Sequence, residues 1–335
     1  MPELPIVIAM GDPAGIGPEI IAKAWEARDA AQLAPFFVIG DPGAIERVWA
    51  GPVALVTDPG QAKSIFGNAL PVLAVEHPGD ITPGNPTVDG ARMALHALEM
   101  ACGLARSGAA LALVTGPVSK AQLYAIGFDY PGQTEFVAER CGVARDNAVM
   151  MLAGPDLRVV PMTVHVPLAE VSALLTVDLV LAKARAAARG LSRTFGIEQP
   201  RLAFAGFNPH AGERGALGGE EEKVLAPAIA LLRDEGIDAT GPFPADTMFH
   251  TEARARYDVA MCCYHDQALV PLKTLYFDEG VNITLGLPIV RTSPDHGTAF
   301  DIAGRGVASA KATIAAIRMA SEAARYRAET AASGS

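Results

Sequence analysis

Aromatic residues are scarce, at 6% of the 335-residue chain, although 50% of all residues are hydrophobic. A core with so few rings has to be built from Ala, Val, Leu and Ile, which pack well in layered α/β structures. Cysteine is scarcer still: Cys102, Cys141, Cys262 and Cys263, with no Cys-x-x-Cys pair. This excludes a disulfide scaffold. The adjacent pair in an apolar run reads as buried, reduced strand residues. Positive charge is in deficit, because 27 Lys and Arg face 37 Asp and Glu for a net charge of −10. No basic stripe is present to release counterions from a nucleic acid. An anionic ligand must therefore be met by a few local cations. Long hydrophobic runs are missing too. Each apolar stretch is interrupted by Asp, Glu, Lys or His, and none approaches the ~20 residues of a membrane-spanning helix. Met1–Ala9 also lacks a basic n-region and a cleavage site, so no signal peptide is expected. A cytoplasmic protein without nucleic-acid or membrane partners is the expectation.

What is present is an alternation of strands and helices. Strands are predicted at Pro5–Met10, Ala34–Gly40, Leu111–Thr115, Ala148–Leu152, Val159–Val164, Leu202–Ala205 and Val259–Cys263. Helix-length segments separate them, including one from about Asp89 to Ser107 and a last one from about Val307 to Arg327 before a frayed Ala-Ala-Ser-Gly-Ser tail. Short apolar strands spaced by helices predict a mostly parallel sheet covered on both faces. The length suits two domains.

Ligands of such sheets bind beyond the carboxyl ends of strands, so the residues that follow each strand are the candidates. Gly11–Glu19 (GDPAGIGPE) links the first strand to a helix. It matches neither a P-loop nor a GxGxxG fingerprint, and both an anion cradle and a tight structural turn stay open. Lys120 follows Leu111–Thr115 in TGPVSK, as a functional cation or a surface lysine. Three histidines emerge after strands: His165, His210 and His265, separated by 45 and 55 residues. The spacing holds no local metal motif, but three imidazoles converging from distant segments suit a divalent ion. His77, His96, His250 and His296 lack that context. Lys273, Asn282 and Arg291 recur at intervals of nine, and a point charge, an amide and a planar fork together suit a phosphate. Thr134, Glu135 and Asp246 occupy Gly/Pro-rich loops of the kind that carry function. Glu220, Glu221 and Glu222 read as the acidic start of a helix.

Taken together, MGDPAGIGPEI, TGPVSK, PGQTEF, GFNPHAGERGALGGEEE, GPFPADTMFH, YHDQALVPLKTL and GVNITLGLPIVRTSPDHGTAFDIAGRG resemble the 4-hydroxythreonine-4-phosphate dehydrogenase family over about residues 6–320. The resemblance implies an isocitrate/isopropylmalate dehydrogenase-like fold of two α/β/α domains around a cleft, one formed by about 1–128 and 296–330 and the other by 129–295. It implies a homodimer with a shared active site, in which His165 and His210 of one subunit and the partner's His265 hold a divalent metal (Zn, Mg or Co). Gln133, Thr134, Lys273, Asn282 and Arg291 fall on substrate-binding positions. The family has His where this chain has Gln133. Glutamine still donates and accepts hydrogen bonds but cannot ionise, so a substrate contact survives there and proton transfer does not.

The expected reaction is NAD- or NADP-dependent oxidation of 4-phosphooxy-L-threonine to 2-amino-3-oxo-4-phosphooxybutanoate. That product decarboxylates to 3-amino-2-oxopropyl phosphate in pyridoxal 5'-phosphate biosynthesis. Asp246 and Lys120 are the candidates for the catalytic base. The rivals are a dehydrogenase of D-threonate or D-erythronate 4-phosphate, a metal-dependent phosphatase, and a phosphometabolite-binding protein without catalysis. A relative acting on terephthalate dihydrodiol, whose substrate lacks phosphate, is disfavoured by Lys273, Asn282 and Arg291.

Overall fold

A computed structural model of the chain describes residues 4–75 and 79–333. His77, the first three residues and the last two of the tail lie outside them. The chain divides into two compact units, Met1–Gly142 with Leu287–Ser335, and Val143–Gly286. Strands β1 (Ile6–Ala9), β2 (Phe36–Gly40), β3 (Val53–Leu55), β4 (Leu70–Ala74) and β5 (Leu113–Thr115) belong to the first unit. Strands β6 (Val149–Ala153), β7 (Arg158–Pro161), β8 (Leu202–Ala205), β9 (Ala239–Phe243), β10 (Val259–Cys262) and β11 (Val281–Leu285) belong to the second, and β12 (Arg291–Pro294) returns to the first.

In the first unit the strand order is β3-β4-β2-β1-β5-β12, and every pairing is parallel. All residues of β1 and β2 are buried, as a parallel sheet covered on both faces requires. Helix Val88–Ser107 packs on β1, β2 and β5, and helix Lys311–Ser333 packs on β12 and β5. The first starts where Thr87 Oγ1 accepts from Gly90 N at 3.0 Å and ends at Gly108. Its buried residues Ala91, Ala94, Leu98, Ala101, Cys102 and Ala105 follow helical spacing. The last helix begins later than the Ala-rich pattern suggests. Lys23 Nζ donates to the carbonyls of Gly306 (2.9 Å) and Ala308 (2.7 Å), and Ala308 N donates to buried Glu19 (2.9 Å), which holds that segment out of helix.

In the second unit the order is β11-β6-β7-β10-β8-β9. The run from β7 to β9 is parallel, but β6 is antiparallel to both of its neighbours. The reason is local: Gly154 N donates to Leu157 O at 2.8 Å, closing a tight turn between β6 and β7. A connection that short permits a hairpin and forbids a parallel crossover. Cys262 and Cys263 are fully buried beside this sheet's core, and burial pushes both thiols up.

The division between the units falls after Gly142 and after Gly286, so Gln133, Thr134 and Arg291 group with the first unit and not with the segment 129–295. The packing explains this. Phe136 stacks against Phe128 and Tyr130, Arg140 bonds Glu99, and β12 pairs with β5.

Candidate functional site

Four consecutive parallel strands of the second unit, β7, β10, β8 and β9, end at one edge of the sheet about 4.8 Å apart. Just beyond them come His165, His265, His210 and Asp246 respectively. Sheet order therefore lines up along one edge the residues that the sequence scatters over 101 positions, from His165 to His265. His265 opens helix His265–Tyr276, and its ring centroid lies 5.7 Å from that of His165. The two rings border a pocket of about 240 Å³ with Thr163, Leu168, Tyr264 and Asp266. Thr163 Oγ1 donates to Cys263 O at 2.8 Å and ties the two histidine loops together. His265 Nδ1 lies 2.8 Å from Asp266 Oδ1. A proton donated from Nδ1 to that carboxylate leaves the Nε2 lone pair for a ligand, the arrangement that orients metal-binding imidazoles. Asp246 is exposed in the turn Ala245–Thr247.

His210 stands in an irregular loop. His210 to Arg214 all have left-handed backbones, with φ between 45° and 76°. Four of the five carry a Cβ, and such a conformation costs on the order of 1–2 kcal/mol per residue. The loop is held at its start by Asn208. Its backbone N–H donates to Glu221 Oε1 (2.7 Å), and its Nδ2 donates to Glu221 Oε2 (3.0 Å) and Glu220 Oε2 (2.8 Å). Ser172 Oγ donates to Glu220 at 2.6 Å. The Ser172 and Asn208 hydrogen bonds hold the Glu220 carboxyl below its usual range. Glu221–Leu225 does lead into a helix, as a π-helical turn ahead of Ala226–Asp234, but Glu221 is only 4% exposed and engages Asn208.

In the first unit Arg291 is 3% exposed. Its guanidinium donates to Thr115 Oγ1 (2.7 Å) and Thr134 Oγ1 (3.2 Å). Burial lowers its pKa to about 10, and the charge of Glu135 acts the other way. Gln133 Nε2 donates to Gly116 O at 3.1 Å, which orients the amide. Lys120 is exposed at the start of helix Lys120–Ala125, close to Gly132. The Gly11–Gly17 turn takes its structural reading. Gly11 has φ +80°, and a Cβ there would lie 2.3 Å from Pro117 O; one on Gly116 would lie 2.2 Å from Met10 O. These glycines let the loops after β1 and β5 pack backbone to backbone, with Asp12 N donating to Pro117 O at 2.8 Å. His296 follows β12, and its Nε2 is buried without a hydrogen-bond partner among the described residues.

Lys273 and Asn282 do not reach the histidine edge within one unit. Lys273 lies eight residues after His265 on the same helix, about 12 Å along its axis, with Nζ 6.0 Å from the Phe277 ring. Asn282 pairs with Leu152, in the mid-sheet row of Val159 and Ala260. That is three strand spacings from β10, about 14 Å. Its Oδ1 is buried with no hydrogen-bond partner among the described residues. Neutral imidazoles suit a divalent ion in kind, and His165 with His265 supplies a close pair. Among the described residues, however, no three His, Cys, Asp or Glu side chains stand close enough to share an ion.

Asp266, Asn208, Glu220, Glu221 and Thr115 are contributors that the sequence did not single out in these roles. Asp266 had a signal, as a carboxylate directly after a candidate histidine.

Two α/β units whose polar side chains gather at carboxyl ends of strands define an α/β enzyme for small molecules. Residues 32–320 match the family described as Pyridoxal phosphate biosynthetic protein PdxA. The chain is 55% identical to a 4-hydroxythreonine-4-phosphate dehydrogenase of Zymomonas mobilis, covering 96% of each chain. It is 54% identical to one of Erythrobacter litoralis, over 98% of this chain and 99% of the relative. A solved 4-hydroxythreonine-4-phosphate dehydrogenase from Klebsiella pneumoniae superposes with a TM-score of 0.86 at 37% identity, covering 96% of this chain and all of that one. The chain belongs to the PdxA family. Its fold class is the isocitrate/isopropylmalate dehydrogenase-like α/β class that the sequence implies.

Proposed function

We propose that the chain oxidises 4-phosphooxy-L-threonine with NAD, giving 2-amino-3-oxo-4-phosphooxybutanoate, which decarboxylates to 3-amino-2-oxopropyl phosphate. The observation that carries this reading is the edge on which four parallel strands deliver His165, His265, His210 and Asp246. In a homodimer, His165 and His210 with the partner's His265 would hold a divalent ion (Zn, Mg or Co). That set takes the partner's His265, so the pair of His165 and His265 within one chain is not itself the ligand set. When bound, the ion would supply Lewis acidity toward the substrate hydroxyl, and the nicotinamide would accept a hydride.

The chain's own residues do the rest. The Arg291 fork, backed by Thr115 and Thr134, binds phosphate oxygens, and Lys273 adds a point charge. Asn282 adds a neutral N–H donor from its amide. Holding the phosphate away from the reacting carbon lets remote binding energy orient the hydroxyl. Asp246, exposed on the histidine edge, accepts the hydroxyl proton at its carboxylate. Lys120 is the second candidate base, from the first unit. Gln133, fixed by Gly116 O, hydrogen-bonds substrate without ionising. The carboxyl edge of the first unit, which carries the buried His296 Nε2, would hold the cofactor.

A substrate panel tests this. With NAD, 4-phosphooxy-L-threonine should show the highest kcat/KM against D-threonate and D-erythronate 4-phosphates. Preference for a sugar-acid phosphate would move the substrate and leave the dehydrogenase reading. Phosphate release without NAD would replace it with a hydrolase.

A further inference from the structure

We infer that Glu221 and Glu220, acting through Asn208, are positioning residues for His210 and set how tightly the histidine edge holds a divalent ion. This rests on the reading of His210 as a ligand. In that reading His210 joins His165 of its own chain and the partner's His265, so the placement of its imidazole decides whether the set closes. That imidazole sits in the left-handed run from His210 to Arg214. A strained loop of this kind persists only when its surroundings over-determine it.

Glu221 lies inside the loop it stabilises. One oxygen takes the Asn208 backbone N–H, and the other takes Nδ2. That second oxygen also lies 2.6 Å from where a Cβ on Gly212 would stand. On the far side, Leu217 N donates to Gly212 O at 3.1 Å, and a Cβ on Gly218 would lie 2.2 Å from Asn208 Nδ2. Glu220 takes the remaining Asn208 proton and is itself fixed by Ser172. Burying a carboxylate is unfavourable unless it is hydrogen-bonded, and a helix start would be served as well by exposed acids. The buried Glu221 is explained by what it holds. Neither carboxylate joins the histidines, so their effect on the ion passes through loop geometry.

The test uses the full chain, stripped of metal and titrated with Co2+, read by calorimetry and by the visible absorption bands of bound Co2+. Glu221→Gln should weaken Co2+ binding 10- to 100-fold, the usual range for residues that orient a ligand, and should alter band intensity while the urea unfolding midpoint stays near wild type. Asn208→Asp, which turns the donor Nδ2 into an acceptor facing two carboxylates, should do the same. His210→Ala is the reference for loss of the ligand itself. Wild-type affinity in Glu221→Gln and Asn208→Asp, with affinity lost in His210→Ala, overturns the clamp and leaves His210 as a ligand. Wild-type affinity in His210→Ala overturns the ligand reading and the clamp with it. Should Glu221→Gln not fold, Glu220→Gln decides at a partly exposed position. Weakened binding there upholds the clamp, and unchanged binding overturns it.

Discussion

Arg291 brings a guanidinium into a position 3% exposed, beside two threonine hydroxyls. A charge held that deep is best matched by an anion it can bond bidentately. Arg291→Ala should lower kcat/KM about 10- to 100-fold, the equivalent of the ~1.5–3 kcal/mol of a charged hydrogen bond, mainly through KM. Arg291→Lys should recover only part, because the fork is lost; unchanged kinetics in both would remove the phosphate role. Asp12 gives a pH prediction. Burial raises its pKa above the ordinary 3.8, against the Ala14 N–H bond that lowers it. A carboxyl raised in the folded state stabilises the protein below its unfolded pKa, and that contribution is lost as pH rises through the folded value. Asp12→Asn, which still accepts from Ala14, should therefore raise the melting temperature at pH 7–8, with the difference closing below about pH 4. A constant difference across pH would contradict the burial argument. At this scale residue identity was readable and burial was not. Arg291 looked like a neighbour of Lys273 and Asn282 at equal spacing, yet β12 pairs it with β5 in the first unit.

Elements were easier to read than their order. Apolar runs mark the seven expected strands to within about two residues of their observed starts, because a buried parallel strand has to be apolar on both faces. The tight turn before β7 was also present in the sequence, as Gly154-Pro155-Asp156, and would have disclosed the antiparallel β6. The left-handed loop at His210 had no such signal, since four of its five residues are not glycine. Its clamp joins Asn208 to residues 12 and 13 positions later, a contact no periodicity announces. Helix starts follow known chemistry. Thr176 Oγ1 accepts from Leu179 N at 3.2 Å at the head of helix Val177–Phe195, which lies against β6 and β11. Thr176→Ala should cost about 1 kcal/mol in urea unfolding, and Thr176→Ser much less. Equal stability of all three proteins would show that this cap contributes nothing.

For the whole molecule, the family and the α/β fold class were legible in the sequence motifs. One chain pairs His165 with His265 and gathers no third ligand among the described residues. Were the site shared across a two-fold dimer, twice the 34.8 kDa chain, complementation would expose it. His210→Ala and His265→Ala should each be inactive alone. Mixed, unfolded and refolded together, they should regain about a quarter of wild-type activity, because half the dimers are mixed and each mixed dimer has one intact site. No recovery would place all three ligands in one chain. The decisive question is whether the histidine edge carries out metal- and NAD-dependent oxidation of a phosphorylated hydroxy acid. It is tested most directly by following NADH absorbance with 4-phosphooxy-L-threonine before chelation, after chelation and after metal return. NADH should form, be lost on chelation, return with a divalent ion, and be absent throughout in His265→Ala. Undiminished NADH formation after chelation, or in His265→Ala, would contradict it.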